Sequence, residues 1–263
     1  MNKITRRDSI FPVVEVPAIG KFPKNANYTE EDTKDTGYKF IMREDTGQIL
    51  SCMTDNYKLI TNGQILSKAD SVLKEKGAKR TDIKMFAGGT RTRWTYRLSD
   101  TKVKVAKDDY LNPEITIVNS YDGSSEASAH GGAFRLVCSN GMIIGYALSK
   151  EGSRHIVWDK SDEIEKIINN VINKTLKVFD NDFPMMIEKA VKKKHVGKAI
   201  EMFPGYVMEQ MVQNLLANPP KNYWNLLNNC TWVATHAMKR ESESTHKFES
   251  KIFDTMKKFA AEA

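Results

Sequence analysis

Cysteine is scarce in this chain: Cys52, Cys138 and Cys230 are the only three. An odd, widely spaced set excludes a disulfide framework and any zinc-knuckle pattern, and it predicts a reducing, intracellular setting. Long apolar runs are also missing. Stretches such as Gly141-Met-Ile-Ile-Gly-Tyr-Ala-Leu148 fall far short of the roughly 20 residues a membrane-spanning helix needs. The opening Met1-Asn-Lys-Ile-Thr-Arg-Arg-Asp8 has no apolar core of a leader peptide, so no secretory signal is expected. There is no internal repeat, and no low-complexity tract longer than Lys192-Lys-Lys194. No Gly-Lys-Ser/Thr follows a glycine-rich loop, which removes the Walker-type nucleotide site.

What remains is an ordinary globular mix of 263 residues, 40% apolar and 28% charged. That is enough chain for one or two domains with a sizeable core. Its charge is unevenly placed. Between Lys74 and Lys107 eleven Lys and Arg face only Glu75, Asp82 and Asp100, a segment net of +8. The whole chain carries +7. A basic stripe on a near-neutral body is the footprint of a polyanion binder; the competing reading is a solvated strand-and-turn face.

Residues 1–36 hold Pro12, Pro17 and Pro23 and the polar run Thr29-Glu-Glu-Asp-Thr-Lys-Asp-Thr36, which predicts an extended or irregular arm. Apolar runs on either side of Glu44-Asp-Thr-Gly47 predict a β-hairpin over 38–53. Ile65, Leu66, Ala69, Val72 and Leu73 recur at helical spacing, predicting a helix over 63–76 with Asn62 as N-cap and Gly77 as its stop. Arg91-Thr-Arg-Trp-Thr-Tyr-Arg-Leu98 alternates strictly. It reads as a strand with Arg91, Arg93, Thr95 and Arg97 on one face and Thr92, Trp94, Tyr96 and Leu98 on the other. Further strands are expected at 114–119, 133–138 and 142–146, with Ser139-Asn-Gly141 as a hairpin turn. After about 155 the spacing turns helical, ending in helices near 222–239 and 244–260. The expected class is α+β: an antiparallel sheet from 38–54 and 80–148 with a packed helix, then a helical C-terminal third. The expected divisions are 1–36, 37–155 and 156–263.

The candidate nucleic-acid contacts are Lys84, Arg91, Arg93, Arg97, Lys102, Lys104 and Lys107, with Arg135 from a neighbouring strand. Lysine and arginine on one face neutralise phosphates without reading sequence. Trp94 and Tyr96 fall on the opposite face and are expected in the core rather than as stacking platforms. A second candidate is the polar loop Asn119-Ser-Tyr-Asp-Gly-Ser-Ser125 with His130. Asn119, Ser120, Asp122 and Ser124 could close an ordinary turn or contact a phosphate or carboxylate ligand. Cys138 could pair with His130, His155 or His236, but nothing fixes a pairing, and a buried apolar cysteine is the simpler reading. The pairs Glu44-Asp45 and Asp108-Asp109 point to opposite strand faces and do not form a two-metal set. In the helix near 222–239, Asn225, Asn228, Asn229, Thr235 and His236 could bond the 119–125 loop, and a packed, hydrogen-bonded structural role is expected ahead of a ligand role.

Three stretches carry a resemblance to a known family. They are Tyr38 to Asn62, with Arg43-Glu-Asp-Thr-Gly47 and Asn56-Tyr-Lys-Leu-Ile-Thr-Asn62; Asn119 to Ser125 followed by Phe134-Arg-Leu-Val-Cys-Ser-Asn-Gly-Met142; and Tyr223-Trp-Asn-Leu-Leu-Asn-Asn-Cys-Thr-Trp-Val-Ala-Thr-His236. In these the chain resembles the prokaryotic, phage and plasmid family catalogued as domain of unknown function 932. The resemblance implies mobile-element cargo serving DNA replication, recombination or counter-defence, in the host cytoplasm. The chain is also distantly similar to single-strand annealing proteins, which set a helix beside a basic sheet that tracks a DNA strand. The resulting expectation is a non-enzymatic protein that handles single-stranded DNA, as a homo-oligomer, with no cofactor, metal or membrane partner. The alternatives are an interaction protein whose basic stripe matches an acidic host surface, and an enzyme with a pocket around Asp122, Ser124, His130 and His236.

Overall fold

The alternating basic segment forms β5 (Arg91–Leu98), the second strand of a six-stranded antiparallel sheet. A computed structural model describes residues 4–21, 33–106, 109–125, 127–135, 144–153, 161–238 and 242–263. The sheet is built from β4 (Ala78–Phe86), β5, β7 (Asp109–Ser120), β8 (Ala127–Arg135) and β9 (Ile144–Ser153) in that order, with β6 (Val103–Ala106) also on β7. β5 covers Glu114–Ser120 of β7, and β6 covers Asp109–Leu111. The two are therefore one strand line with a break. Pro113 lies opposite the break and has no N–H to give a ladder. Asn112, buried, donates from Nδ2 to the carbonyls of Ser99 and Thr101 and so ties down the bulged chain.

β5 is half-buried at Arg91, Arg93, Thr95 and Arg97 and buried at Thr92, Trp94, Tyr96 and Leu98, so the predicted alternation holds. On the apolar side lie α2 (Asn62–Glu75) and α3 (Ser161–Lys177), packed on Trp94, Tyr96, Ile115, Ile117, Ala127 and Ala129. At about 25 cal/mol per Å² of apolar surface, such layers supply most of the stabilisation. The predicted helix matches α2, with one correction at its start. Thr61, not Asn62, is the N-cap: its Oγ1 accepts from the Gln64 N–H while the Gln64 side chain accepts from the Thr61 N–H. Gly77, at φ +71°, ends the helix as expected.

A second, three-stranded sheet is made of β1 (Val13–Lys21), β2 (Thr33–Arg43) and β3 (Ile49–Thr54). β2 and β3 are the predicted hairpin, with Gly47 at φ +69° in its turn. The expectation of one sheet built from 38–54 and 80–148 is corrected: β2 and β3 stay apart from the larger sheet and pair with the N-terminal segment. That segment begins with α1 (Arg6–Ser9) and continues into β1, which runs antiparallel to β2. Of the expected arm, residues 13–21 are extended and docked on this chain's own hairpin, residues 6–9 are helical, and 1–3 and 22–32 lie outside the described residues. Phe11 fills the corner between the sheets. Its ring lies so close to Gly89 that a Cβ there would fall 2.6 Å from it, and Gly89 also adopts φ +106°, so glycine is required twice over.

The C-terminal third is helical, as predicted: α4 (Phe183–Glu188), α5 (Lys193–Glu201), α6 (Gly205–Ala217), α7 (Tyr223–His236) and α8 (Ser242–Ala261) follow α3. They share a core of Phe179, Phe183, Trp224, Phe253 and Met256 that reaches the sheet at Leu111 and Ala133, with Val103 and Val105 against it. The architecture is α+β. The Ser139-Asn-Gly141 turn lies outside the described residues.

Candidate nucleic-acid interface

Strand register decides which side chains share the face opposite the helices. Arg91, Arg93, Thr95 and Arg97 pair with Ser120, Val118, Thr116 and Glu114 on β7, and with Phe86, Lys84, Asp82 and Lys79 on β4. Thr116 pairs in turn with His130, Glu114 with Gly132 and Asn112 with Phe134 on β8. Lys104 pairs with Tyr110, and Lys102 lies over the Tyr110 ring at 4.8 Å. The described sheet residues that share a core with the helices all lie on the other face. The sequence-derived candidates Lys84, Arg91, Arg93, Arg97, Lys102 and Lys104 therefore stand on the side of the sheet that no described helix packs against. The expectation that Arg135 joins them is corrected: on β8 it is in register with Leu111, a position of the helix side; Lys107 lies outside the described residues.

These cations are not equivalent. Arg97 donates from Nε and Nη2 to Glu114 Oε1 at 3.2 and 2.8 Å, and its guanidinium lies 3.2 Å from the centre of the Phe134 ring. Glu114 is buried. Burial raises its carboxyl above the ordinary range, against the opposing pull of the Arg97 hydrogen bonds and charge. Arg97 is thus committed to a carboxylate on its own sheet. Lys84 is half-exposed and 3.8 Å from Asp82, a surface pair of little energetic weight. Arg91 lies 5.0 Å over Phe86, and Lys104 is exposed.

Sequence reasoning missed the aromatics of this face. Phe86, Tyr110 and Phe134 each lie beneath a cation, with Arg91, Lys102 and Arg97 respectively. Trp94 and Tyr96 are core residues, as expected, at 0% and 2% exposure. The signal for the three rings is alternation within β4, β7 and β8, but it is readable only once the strands are paired.

The polar loop closes on itself. Asp122 Oδ1 accepts from the Ser120 hydroxyl and from the Ser124 N–H, with Gly123 at φ +70°. Burial opposes its charge, but the bonds from Ser120 and Ser124 outweigh it and hold the carboxyl below the usual range. Asn119 points inward: its Nδ2 donates to the Ile60 carbonyl and to Asn62 Oδ1 at 2.8 Å. Asn62 donates onward to the Ser9 carbonyl and Thr92, while Trp94 Nε1 donates to Ser9 Oγ. This network joins α1, α2 and the sheet, and it assigns Asn119 a structural role.

The remaining candidates are not brought together. His130 Nε2 is 2.9 Å from Ser128 Oγ on its own strand, and His236 is bonded and stacked to Trp232 on its own helix. The α7 polar side chains take the expected packed, structural role, and their described bonds do not reach the 119–125 loop. Asn229 bonds Asn214 and Asn218, Asn228 bonds Trp224, Asn225 accepts from the Lys221 N–H, and Thr235 bonds Glu249. These contacts cap and pin α6, α7 and α8. Cys138 and His155 lie outside the described residues, and burial pushes the Cys230 thiol up to about 12, far from a thiolate. Among the described residues no three His, Cys, Asp or Glu side chains converge as metal ligands, and no helix is long and apolar enough to cross a membrane.

Comparison with known proteins gives a family without an assigned activity. Residues 49–250 match the family described as domain of unknown function DUF932, and the chain belongs to it. Over 101 residues it is 31% identical to the UPF0380 protein YafZ of Escherichia coli (strain K12). That stretch covers 36% of this chain and 35% of the length of that relative. No solved structure matches.

Proposed function

We propose that this DUF932 family member binds a nucleic-acid strand, single-stranded DNA in the first instance, along the face of its six-stranded sheet that no described helix packs against. The observation that carries the reading is the gathering of Lys84, Arg91, Arg93, Lys102 and Lys104 on that face, interleaved with aromatic rings. Alternate residues of a strand are about 6.8 Å apart on one face, so such a surface offers repeated cations along an extended polyanion. The work required is binding: phosphates exchange their counterions for lysine and arginine, and no bond is made or broken. A surface of this kind holds two strands together only as an oligomer or by sequential capture, and annealing in replication or recombination is the duty we assign to it.

The test is fluorescence anisotropy of a labelled oligonucleotide, single-stranded and as its duplex, in low salt. The reading expects tighter binding to the single strand, weakened equally for all sequences by Arg91→Gln/Lys102→Gln. Absence of binding to either form at low salt contradicts it, because electrostatic affinity is greatest there.

A further inference from the structure

Among the described residues three cation–ring pairs occupy the open face, and their chemistry separates them into one locked pair and two that can open. Over Phe134, Arg97 is held by two hydrogen bonds to Glu114, itself 5% exposed. That stack is fixed in place. Over Phe86 and Tyr110 the cations are Arg91 and Lys102, at 5.0 and 4.8 Å from the ring centres. Neither cation has a carboxylate among its described hydrogen bonds and ion pairs, and Phe86 is 38% exposed. A cation over an exposed ring is held weakly. A nucleobase stacked on an aromatic ring is held more strongly, so a base outcompetes the cation for the ring.

We infer that Phe86 and Tyr110 are base-stacking platforms, uncovered when Arg91 and Lys102 swing from the rings to the phosphates of a bound single strand. The inference rests on the reading of this face as a nucleic-acid surface and adds how it distinguishes strands. A paired base is already stacked and cannot lie on a ring, so the two platforms select unpaired chain. The rings also set a length. Phe86 is in register with Arg91 and Ser120, and Tyr110 lies ten residues from Ser120 along β7. At about 3.3 Å per residue the platforms are roughly 33 Å apart, so one bound strand must run most of this face to reach both. Between them run Arg93, Thr95 and the locked Arg97–Glu114 pair, which offer polar contact but no open ring.

The test compares two probes of equal length and charge on the full chain: a twelve-nucleotide oligothymidine and a twelve-unit abasic phosphodiester. Wild type is expected to bind the thymidine strand at least about tenfold more tightly than the abasic one, with the same salt dependence for both. Phe86→Leu/Tyr110→Leu is expected to lose that preference while binding the abasic strand as wild type does, which also shows that the variant is folded. Equal binding of both probes by wild type overturns the platforms but leaves the electrostatic reading standing. Binding of neither probe at low salt overturns both.

Discussion

Along β5, the even-numbered and odd-numbered side chains belong to different environments. Thr92, Trp94, Tyr96 and Leu98 are sealed beneath α2 and α3. Arg91, Arg93, Thr95 and Arg97 stand on a side that no described helix packs against. Both faces contain polar groups, and the contrast lies in how these are satisfied. On the helix side each has a named partner. Tyr96 Oη and Arg80 meet Asp70 of α2, which also takes Arg6, and Trp94 donates to Ser9. Burial, reinforced by the Asp70 hydrogen bond, raises the Tyr96 phenol well above its usual range. On the open side Arg97 has such a partner in Glu114, whereas Arg91 and Lys102 make loose cation–ring contacts and Lys84 a long surface ion pair. The lesson is that satisfied charge builds structure, whereas loosely held charge is available for a ligand. It sorts arginines that composition alone treats alike.

The comparison predicts a graded response to substitution. The largest effect belongs to the sealed face: Trp94→Ala removes a fully buried indole and is expected to cost about 3–5 kcal/mol in urea denaturation. A loss below about 1 kcal/mol would mean that the helices are not seated on this strand. Next comes Asn119→Ala, which leaves the Ile60 carbonyl and Asn62 Oδ1 without their donor. A cost of about 1–3 kcal/mol is expected, with oligonucleotide binding intact; lost binding with unchanged stability would make Asn119 a ligand contact instead.

Arg97→Met sits between the two faces and is expected to cost about 2 kcal/mol at neutral pH. Its sign with pH follows from Glu114. That carboxyl lies above its ordinary value when folded, so the native state holds the proton more tightly than the unfolded chain. Stability from this group is therefore present below the ordinary glutamate range and is lost as pH rises through the folded value. Removing Arg97 takes away the influences that lower it, so the window extends upward and the loss deepens. Thermal melts of Arg97→Met from pH 4 to pH 8 should show that decline, and Glu114→Gln in the same background should flatten it. The smallest structural effect is expected for Arg91→Gln, within about 0.5 kcal/mol, since only the Phe86 contact is lost.

Much of this arrangement was legible in the sequence because it is local. The alternation of Arg91–Leu98, the apolar spacing of α2 and the Gly47 and Gly77 turns depend on neighbours in the chain. What was not legible depends on pairing between distant segments. Arg97 finds Glu114 only through the β5–β7 register, and Phe134 joins them only through β7–β8. Nothing in Val13–Lys21 marks it as the partner of Thr33–Arg43, and Pro17 argued against a strand until its position beside a register shift in the β1 edge was seen. His195 sits among Lys192, Lys193, Lys194 and Lys198, a sequence setting typical of surface chain. It is buried, stacked on Phe259 at 4.2 Å, with Nδ1 2.6 Å from the Tyr223 hydroxyl.

The central claim is that location, not net charge, makes the open face a binding surface. The most direct measurement is the salt dependence of oligothymidine affinity for two variants of equal charge loss. One is Lys84→Gln/Arg91→Gln/Lys102→Gln on the open face, and the other is Lys193→Gln/Lys194→Gln/Lys198→Gln on α5. The account predicts that the open-face variant lowers the slope of log affinity against log salt by about two, at roughly 0.7 per phosphate contact on a single strand, while the α5 variant leaves it unchanged. Equal slopes for the two variants would contradict it.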